Sequence, residues 1–190
     1  MFIQTEPTPN PDTMKFLPGQ VLLPEGTADF ATSETAPAGS LPARLFDIAG
    51  VARVFLGHDF VSVTRAPGAE WEHLRPGILA AIMDHFQAGL DVVPATPSVP
   101  GDSPAPDPDD PDAEIVATVR ELLDTRVRPA VAQDGGDIVF HGFDRGVVYL
   151  HMQGACAGCP SSTMTLKMGI ENLLRHFIPE VTEVRPVMAG

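Results

Sequence analysis

The sequence predicts an α+β protein made of two small two-layer α/β-sandwich domains joined by a linker rich in proline and aspartate. Three observations support this fold class. Hydrophobic residues make up 44% of the 190-residue chain, which is enough to form packed cores. Short β-rich segments and helical apolar stripes occur on both sides of one central segment. That segment, residues 94–112, reads PATPSVPGDSPAPDPDDPD and has the composition of a linker.

In this central segment proline recurs every two to four residues, and aspartates carry all of the charge. Such a segment cannot bury enough apolar surface to offset the entropy of ordering it. Proline also favours an extended conformation, so the linker should be semi-rigid. We therefore predict an amino-terminal domain over residues 1–93, a linker over 94–112 and a carboxy-terminal domain over 113–190.

The amino-terminal domain opens with two predicted strands, MFIQTE (1–6) and MKFLPG (14–19), separated by a proline-rich stretch. After a polar segment, Ser40 is a predicted N-cap for a short helix over residues 41–50. Pro42 fits the first turn of that helix, where its missing N–H group would have no intrahelical partner.

A β-hairpin and a second helix complete the predicted amino-terminal domain. Residues 51–56 and 60–64 are rich in β-forming residues and flank a turn. The helix is predicted over residues 71–86, although Pro76 should end or bend its first turn. Its apolar residues recur at helical spacing and are predicted to be core: Trp71, Leu74, Ile78, Ile82 and Phe86.

The carboxy-terminal domain is predicted to begin with a helix capped by Asp110 or Asp112 and stopped by Pro129. After it, Gly135 and Gly136 are expected to supply positive φ angles in a turn. The apolar stripe of the helix comprises Ile115, Val116, Val119, Leu122, Leu123 and Val127.

A hairpin follows, with arms IVFHGF (138–143) and VVYLHM (147–152) around the turn signal DRG. A second helix is predicted over residues 161–177 and a last strand over 181–187. The order α-β-β-α-β predicts a small sheet with helices on one face. The second helix is predicted to bury Leu166, Ile170, Leu173, Leu174 and Phe177.

The only two cysteines of the chain, Cys156 and Cys159, lie in GACAGCPSST between a predicted strand and a predicted helix. Pro160 suits the first turn of that helix, which places Cys159 near the N-cap. Free N–H groups and the helix dipole should lower the thiol pKa there. Because the neighbouring residues are all small, we expect an open site.

Four interpretations compete for this thiol pair. The cysteines could be small buried hydrophobes, although a glycine-bracketed loop at a helix start argues against burial. They could form a dithiol–disulfide switch, but that motif normally belongs to a βαβ unit rather than following a hairpin. Zinc and an iron–sulfur cluster each usually need four protein ligands, and one chain offers two thiols. A two-fold dimer supplies the other two, so either metal centre would bridge two copies.

Other residues give weaker signals. His141 and His151 could add metal ligands, but on strands they are more often ordinary surface residues. Asp134 and Asp137 flank the Gly-Gly turn and are expected to be turn-formers. With 12 Lys and Arg against 25 Asp and Glu, a net charge of −13 disfavours nucleic-acid binding. No apolar run is long enough to cross a membrane.

The carboxy-terminal domain resembles the carboxy-terminal domain of NifU, which is shared by the Nfu family of iron–sulfur proteins. The resemblance is carried by VRPAVAQDGGDI (127–138) and GACAGCPSSTMTLKMGIENLL (154–174). The first domain resembles the Nfu amino-terminal domain through QTEPTPNPDTMKFLPG (4–19), LFDIAGVARVFLG (45–57) and DFVSVT (59–64).

This resemblance implies a scaffold or carrier rather than an enzyme. The family binds a 4Fe–4S cluster bridged by the Cys-x-x-Cys pairs of two subunits, and Cys156 and Cys159 match that motif. The implied partners are a second copy of the chain, an upstream cluster donor and apo-proteins that receive the cluster. Mitochondrial members carry a transit peptide, which the first residues here do not resemble, so we expect a bacterial, cytoplasmic protein.

Overall fold

The computed structural model describes residues 2–93, 111–158 and 160–187. Contacts between residues divide the chain into two units, Met1–Val99 and Pro100–Gly190. Most of the predicted linker lies outside the described residues, as does Asp110, so the predicted boundaries at residues 93 and 113 stay predictions. The α+β class with two separate two-layer units is confirmed.

The amino-terminal unit is a five-stranded antiparallel sheet with two α-helices packed against it. Its strands pair in the order β1-β2-β5-β4-β3. The α-helices and strands are β1 (Gln4–Pro7), β2 (Thr13–Leu17), β3 (Ala28–Phe30), α1 (Leu41–Phe46), β4 (Val51–Leu56), β5 (Val61–Arg65) and α2 (Trp71–Gln87).

Most of the amino-terminal predictions are confirmed. The Ser40 hydroxyl accepts a hydrogen bond from the backbone N–H of Ala43 at 3.3 Å, as expected of an N-cap. In α2, Leu74, Ile78 and Ile82 are buried in the core. Trp71 and Phe86 are only partly buried, and they pack against the edge of the same cluster.

Three features of this unit differ from the prediction. Helix α1 ends at Phe46 rather than at residue 50, and turns follow it. Strand β3 was not predicted, because only three residues of a polar segment form it; it is held by pairing with β4 and by an Asp29–Arg53 ion pair. Pro76 does not end α2, which continues to Gln87. Pro76 lies on the exposed side of the helix, so its ring does not disturb the core. Because proline has no backbone N–H group, the helix lacks one hydrogen bond at this position.

The carboxy-terminal unit has the predicted order α-β-β-α-β. Its sheet pairs in the order β6-β7-β8, with β6 antiparallel and β8 parallel to β7. A parallel neighbour needs a crossover connection, and α5 provides it. The elements are α3 (Ala113–Leu122), a π-helical turn (Leu123–Val127), α4 (Arg128–Gln133), β6 (Gly136–Asp144), β7 (Val147–Gly154), α5 (Pro160–Phe177) and β8 (Glu183–Val187).

One apolar cluster between these helices and the sheet forms the core of the unit. It includes Val119 and Leu123 from the first helical segment, Leu150 from β7 and Leu174 from α5. Of the residues predicted to be buried on α5, Leu166 and Leu173 are partly buried and pack against this cluster. Phe177 is 46% exposed, so its predicted burial is wrong: it is the last residue of α5, and its ring lies against the guanidinium of Arg126 rather than in the core.

Pro129 does not stop the first helix, contrary to prediction. The chain instead widens into the π-helical turn, in which the Arg128 N–H group donates to the carbonyl of Leu123. Pro129 then falls in the first turn of α4, where a missing N–H group is tolerated. The wide turn shifts the helical phase just before Arg128, and such turns are frequent near functional sites.

Candidate metal centre

The cysteine loop, residues 155–159, connects β7 to α5. Strand β7 ends at Gly154, Cys156 follows two residues later, and α5 begins at Pro160. The predicted position between a strand and a helix is therefore confirmed for Cys156. Cys159 lies outside the described residues, and its lowered pKa stays a prediction.

Backbone geometry explains why this loop is made of small residues. Gly154 and Gly158 have φ angles of 61° and 82°, values that side chains other than glycine rarely adopt. The Ala157 N–H donates to the Gly154 carbonyl at 3.1 Å. The Thr163 hydroxyl, from the first turn of α5, donates to the Cys156 carbonyl at 3.1 Å. These two hydrogen bonds tie the described part of the loop to the end of β7 and to the first turn of α5.

The Gly-Gly pair packs directly against the cysteine loop. The Ala155 N–H donates to the Gly135 carbonyl at 3.1 Å, and Gly135 has the predicted positive φ of 78°. Gly136 does not, so that prediction is wrong; it begins β6. A Cβ atom on Gly136 would lie 2.5 Å from Cys156 Sγ and 2.8 Å from the Gln153 carbonyl oxygen. Glycine is needed there for close approach rather than for its backbone angles.

The Cys156 thiol is buried and protonated. Its side chain belongs to the core of the carboxy-terminal unit, with 5% of the residue exposed. Burial raises the thiol pKa to about 12, and the carboxylates of Asp134 and Asp137 add to the shift. The expectation of an open site is therefore wrong for Cys156, since the loop folds this side chain inward. For this one thiol, burial is what the small-hydrophobe interpretation predicts.

An ion pair that the sequence analysis missed lies next to the Gly-Gly turn. Arg128 Nε and Nη2 each donate to an oxygen of Asp137 at 2.9 Å, and Arg128 Nη1 also donates to Asp124 at 3.1 Å. The bond to Asp137 is the main reason that the pKa of Arg128 is raised. Asp137 is buried in β6 and is not the expected turn-former, whereas Asp134 is exposed at the end of α4.

A buried acceptor lies directly opposite this carboxylate. Gln153 pairs with Asp137 across β6 and β7, and 4% of the residue is exposed. Within the described part of the chain, its Oε1 atom has no hydrogen-bond partner. Unsatisfied buried polar atoms are uncommon and usually mark strain, a missing ligand or a functional rearrangement. The polar region next to the cysteine loop is therefore not a fully satisfied core.

The two histidines considered as extra ligands do not join the cysteine loop. His151 is half-buried and its Nδ1 lies 3.2 Å from the Val187 carbonyl oxygen, while His141 is exposed. Across residues 2–93, 111–158 and 160–187, no three or more His, Cys, Asp or Glu side chains are grouped to hold a metal ion. In the same ranges, no helix is long and apolar enough to span a bilayer.

Comparison with known families gives two matches that together cover most of the chain. Residues 3–89 match the family model described as "Scaffold protein Nfu/NifU N terminal", and residues 119–185 match the model described as "NifU-like domain".

Three relatives match almost the whole chain. "NFU1 iron-sulfur cluster scaffold homolog, mitochondrial" of Homo sapiens is 48% identical over 99% of this chain and 72% of its own length. The protein of the same name from Drosophila erecta is 50% identical over 98% of this chain, which spans 65% of that relative. "NifU-like protein 4, mitochondrial" of Arabidopsis thaliana is 46% identical over 100% of this chain and 67% of its own length.

Two solved structures are similar to part of the chain. A NifU-like protein from Saccharomyces cerevisiae is 23% identical, with a TM-score of 0.45, over 50% of this chain and 85% of its own. Protein SAV1430 from Staphylococcus aureus is 26% identical, with a TM-score of 0.38, over 43% of this chain and 99% of its own. The relatives above correct one expectation: they are named mitochondrial, so the predicted cytoplasmic location is wrong.

Proposed function

The chain belongs to the Nfu family of iron–sulfur cluster scaffold proteins, a family of scaffolds and not of enzymes, and from this premise we propose a carrier function. The chain binds a 4Fe–4S cluster bridged between two copies through Cys156 and Cys159, and it transfers that cluster to apo-proteins. The observation that carries the proposal is the placement of the Cys-x-x-Cys loop between β7 and α5 in a chain that has no other cysteine.

The number of thiols requires the second copy. A 4Fe–4S cluster held by thiolates uses four of them, and the whole sequence contains two. A two-fold axis brings an identical pair to the same point. A cluster held by two thiolates from each chain is easier to release than one enclosed by a single fold, which suits a carrier.

Binding requires Cys156 to leave the core. The cluster ligand is the thiolate, so the S–H proton must pass to solvent as the sulfur–iron bond forms. In the buried position the carboxylates of Asp134 and Asp137 oppose that ionisation, whereas the positive charge of iron stabilises the thiolate. Gly154 and Gly158 bracket Cys156 and allow the loop to rotate the thiol outward. The buried thiol would then be the state between deliveries.

The burial of Cys156 argues against this residue as the nucleophile of a dithiol oxidoreductase. Reactive cysteines are partly exposed and have a lowered pKa, whereas Cys156 is buried and its pKa is raised to about 12. The loop follows β7, which is both the second strand of an antiparallel hairpin and the first strand of the parallel β7–α5–β8 unit, so the topology that was expected to disfavour a dithiol switch does not do so. A zinc-bridged dimer would use the same two cysteines as ligands. Chemical analysis of the bound metal, iron or zinc, distinguishes it from the proposed cluster.

The partners follow from the carrier role. We propose an upstream cluster donor and apo-proteins as clients, with the amino-terminal domain as the docking module for one or both. The predicted linker over residues 94–112, with five aspartates and seven prolines, would let the two domains reorient during delivery.

Anaerobic reconstitution with iron and sulfide tests this function. We expect a brown protein with about four irons for each pair of chains, and Cys156→Ser or Cys159→Ser should abolish the colour. Asp124→Asn, an exposed change on the π-helical turn, is the matched control and should reconstitute normally. A colourless protein that reduces disulfide substrates, or one that retains zinc instead of iron, would overturn the proposal.

A further inference from the structure

Two large apolar side chains are exposed on α5 close to the cysteine loop. Met164 is 66% exposed and Met168 is 59% exposed. Helix α5 begins at Pro160, directly after the loop, so these methionines lie within its first three turns. Residues four apart share one face of a helix, and the two side chains therefore form a continuous apolar strip that starts beside the proposed cluster ligands.

Charged side chains border one edge of this strip: Lys167 lies three residues after Met164, and Glu171 lies three residues after Met168 and 3.7 Å from Arg175. Thr165, Gly169 and Asn172 are exposed on the same side of α5. A Cβ atom added to Gly169 would meet nothing within 4 Å, so the surface next to Met168 is open. We call Met164, Thr165, Met168, Gly169 and Asn172 the methionine face. Scattered exposed apolar residues are ordinary, but an apolar strip beside a binding loop is typical of an interaction surface.

We propose that the methionine face packs against the same face of a second copy when the two copies share a cluster. This inference rests on the proposed function, because the cluster requires a second pair of thiols. The second copy must bring its own cysteine loop to the cluster, and its own α5 starts at that loop. A two-fold axis running along the pair of α5 helices then places Met164 and Met168 against their counterparts.

Charge supports a second copy as the occupant. The chain carries a net charge of −13, so two whole copies repel each other overall. The charged residues that border the methionine face, Lys167, Glu171 and Arg175, sum to +1, so contact through this face avoids that repulsion near the cluster. Both α5 helices would also direct their positive N-terminal ends toward the thiolates and the cluster they hold.

The small size of the face also fits a dimer that depends on its cluster. A stable protein interface buries about 800 Å² on each partner, and two methionines with three small neighbours offer much less. The methionine face alone should therefore not hold two copies together. It would orient the pair while the sulfur–iron bonds hold it, so that release of the cluster separates the copies.

Charge reversal at Met168 tests this pairing in the full chain. Met168→Glu and Met168→Lys are each reconstituted anaerobically with iron and sulfide, alone and as an equal mixture. Dimer content is measured by sedimentation velocity and iron by chemical analysis. Each variant alone should place like charges together and raise the dimer dissociation constant at least about tenfold. The mixture should restore dimer and iron, because glutamate on one copy then faces lysine on the other.

Val21→Glu is the matched control, since Val21 is 54% exposed in the amino-terminal unit; it should dimerise like the unchanged protein. Met168→Glu that dimerises normally overturns the inference, and so does a mixture that rescues nothing. Normal dimerisation with slower transfer to an apo-protein assigns the face to a client and also overturns it. In each of these cases the loss of iron in Cys156→Ser still supports the proposed function, so the two failures are distinguishable.

Discussion

At the scale of single residues, Gly136 illustrates how closely the cysteine loop is packed against β6. An added Cβ atom would lie 2.5 Å from Cys156 Sγ and 2.8 Å from the backbone oxygen of Gln153. The thiol could move, but the backbone oxygen could not move without shifting β7. Residues with no side chain thus determine where the thiol of the proposed ligand lies.

We predict that Gly136→Ala lowers the free energy of unfolding by about 1–3 kcal/mol, the usual cost of overpacking. Iron uptake on reconstitution should fall with it, because the loop is displaced. Gly142→Ala is the control in the same strand, since a Cβ atom there meets nothing within 4 Å. Thermal unfolding and iron analysis check both variants. Equal stability of the two would show that the close approach at Gly136 does not matter.

The buried state of Cys156 predicts low chemical reactivity without a cluster. In a Cys159→Ser variant, only Cys156 can react with iodoacetamide. Burial and a pKa raised to about 12 should make alkylation at pH 8 at least about a hundredfold slower than in denaturant. Mass spectrometry of the alkylated fraction over time gives both rates. If the folded protein reacts as fast as the denatured one, the thiol is exposed and the proposed inward position is wrong.

His85 predicts acid sensitivity of the amino-terminal unit. The side chain is fully buried, its Nε2 lies 3.0 Å from the Asp91 carbonyl oxygen, and burial is the main cause that lowers its pKa from 6.5. The unfolded chain therefore takes up a proton more readily than the folded one. The stability that His85 contributes is fully present above pH 6.5 and is lost as the pH falls below it.

Thermal unfolding between pH 7.5 and pH 5 measures this effect. His85→Gln should show a smaller fall in melting temperature on acidification than the unchanged protein, whatever its stability at neutral pH. His73→Asn, with a side chain that is 82% exposed, should keep the full fall. If both variants respond alike, His85 is not the group responsible.

At the scale of the secondary-structure elements, the Arg128–Asp137 pair joins the start of α4 to the start of β6. The two elements are connected by the Gly-Gly turn that packs on the cysteine loop. The π-helical turn allows Arg128 to face Asp137 while it also contacts Asp124. The Arg128–Asp137 pair therefore fixes the position of the Gly-Gly turn, which in turn contacts the cysteine loop.

We predict that Asp137→Asn lowers the free energy of unfolding by about 2 kcal/mol, because a buried hydrogen-bonded charge is removed and its arginine loses its main partner. Asp124→Asn should cost less than about 1 kcal/mol, since the Asp124 side chain is 60% exposed. Denaturant unfolding of both variants gives the comparison. If both variants lose the same free energy of unfolding, the buried Asp137 contributes no more to stability than the exposed Asp124.

The elements also separate what the sequence could predict from what it could not. Hydrophobic spacing located α2 and α5, and turn chemistry located the hairpin of β6 and β7, because both signals are local. Strand β3 was missed, since three residues are too few for a periodic pattern. The inward position of Cys156 and the Arg128–Asp137 pair depend on contacts between segments that are not adjacent in sequence. No local spacing could reveal them.

At the scale of the whole molecule, the proposed division into a docking domain and a cluster domain predicts separable functions. A chain lacking residues 1–93 should bind the cluster as the full chain does, because both proposed ligands lie in the carboxy-terminal unit. Transfer of the cluster to particular apo-proteins should slow, since the proposed docking module is gone. Transfer followed by the recovery of client activity checks this. An unchanged rate would remove the docking role.

Native mass spectrometry of the protein reconstituted without oxygen tests the central claim most directly. The account predicts one species whose mass equals two chains with four irons and four sulfides, and its dissociation into single chains when the cluster is released. A single chain that retains a whole cluster, or a metal-free dimer with the same abundance, would contradict it.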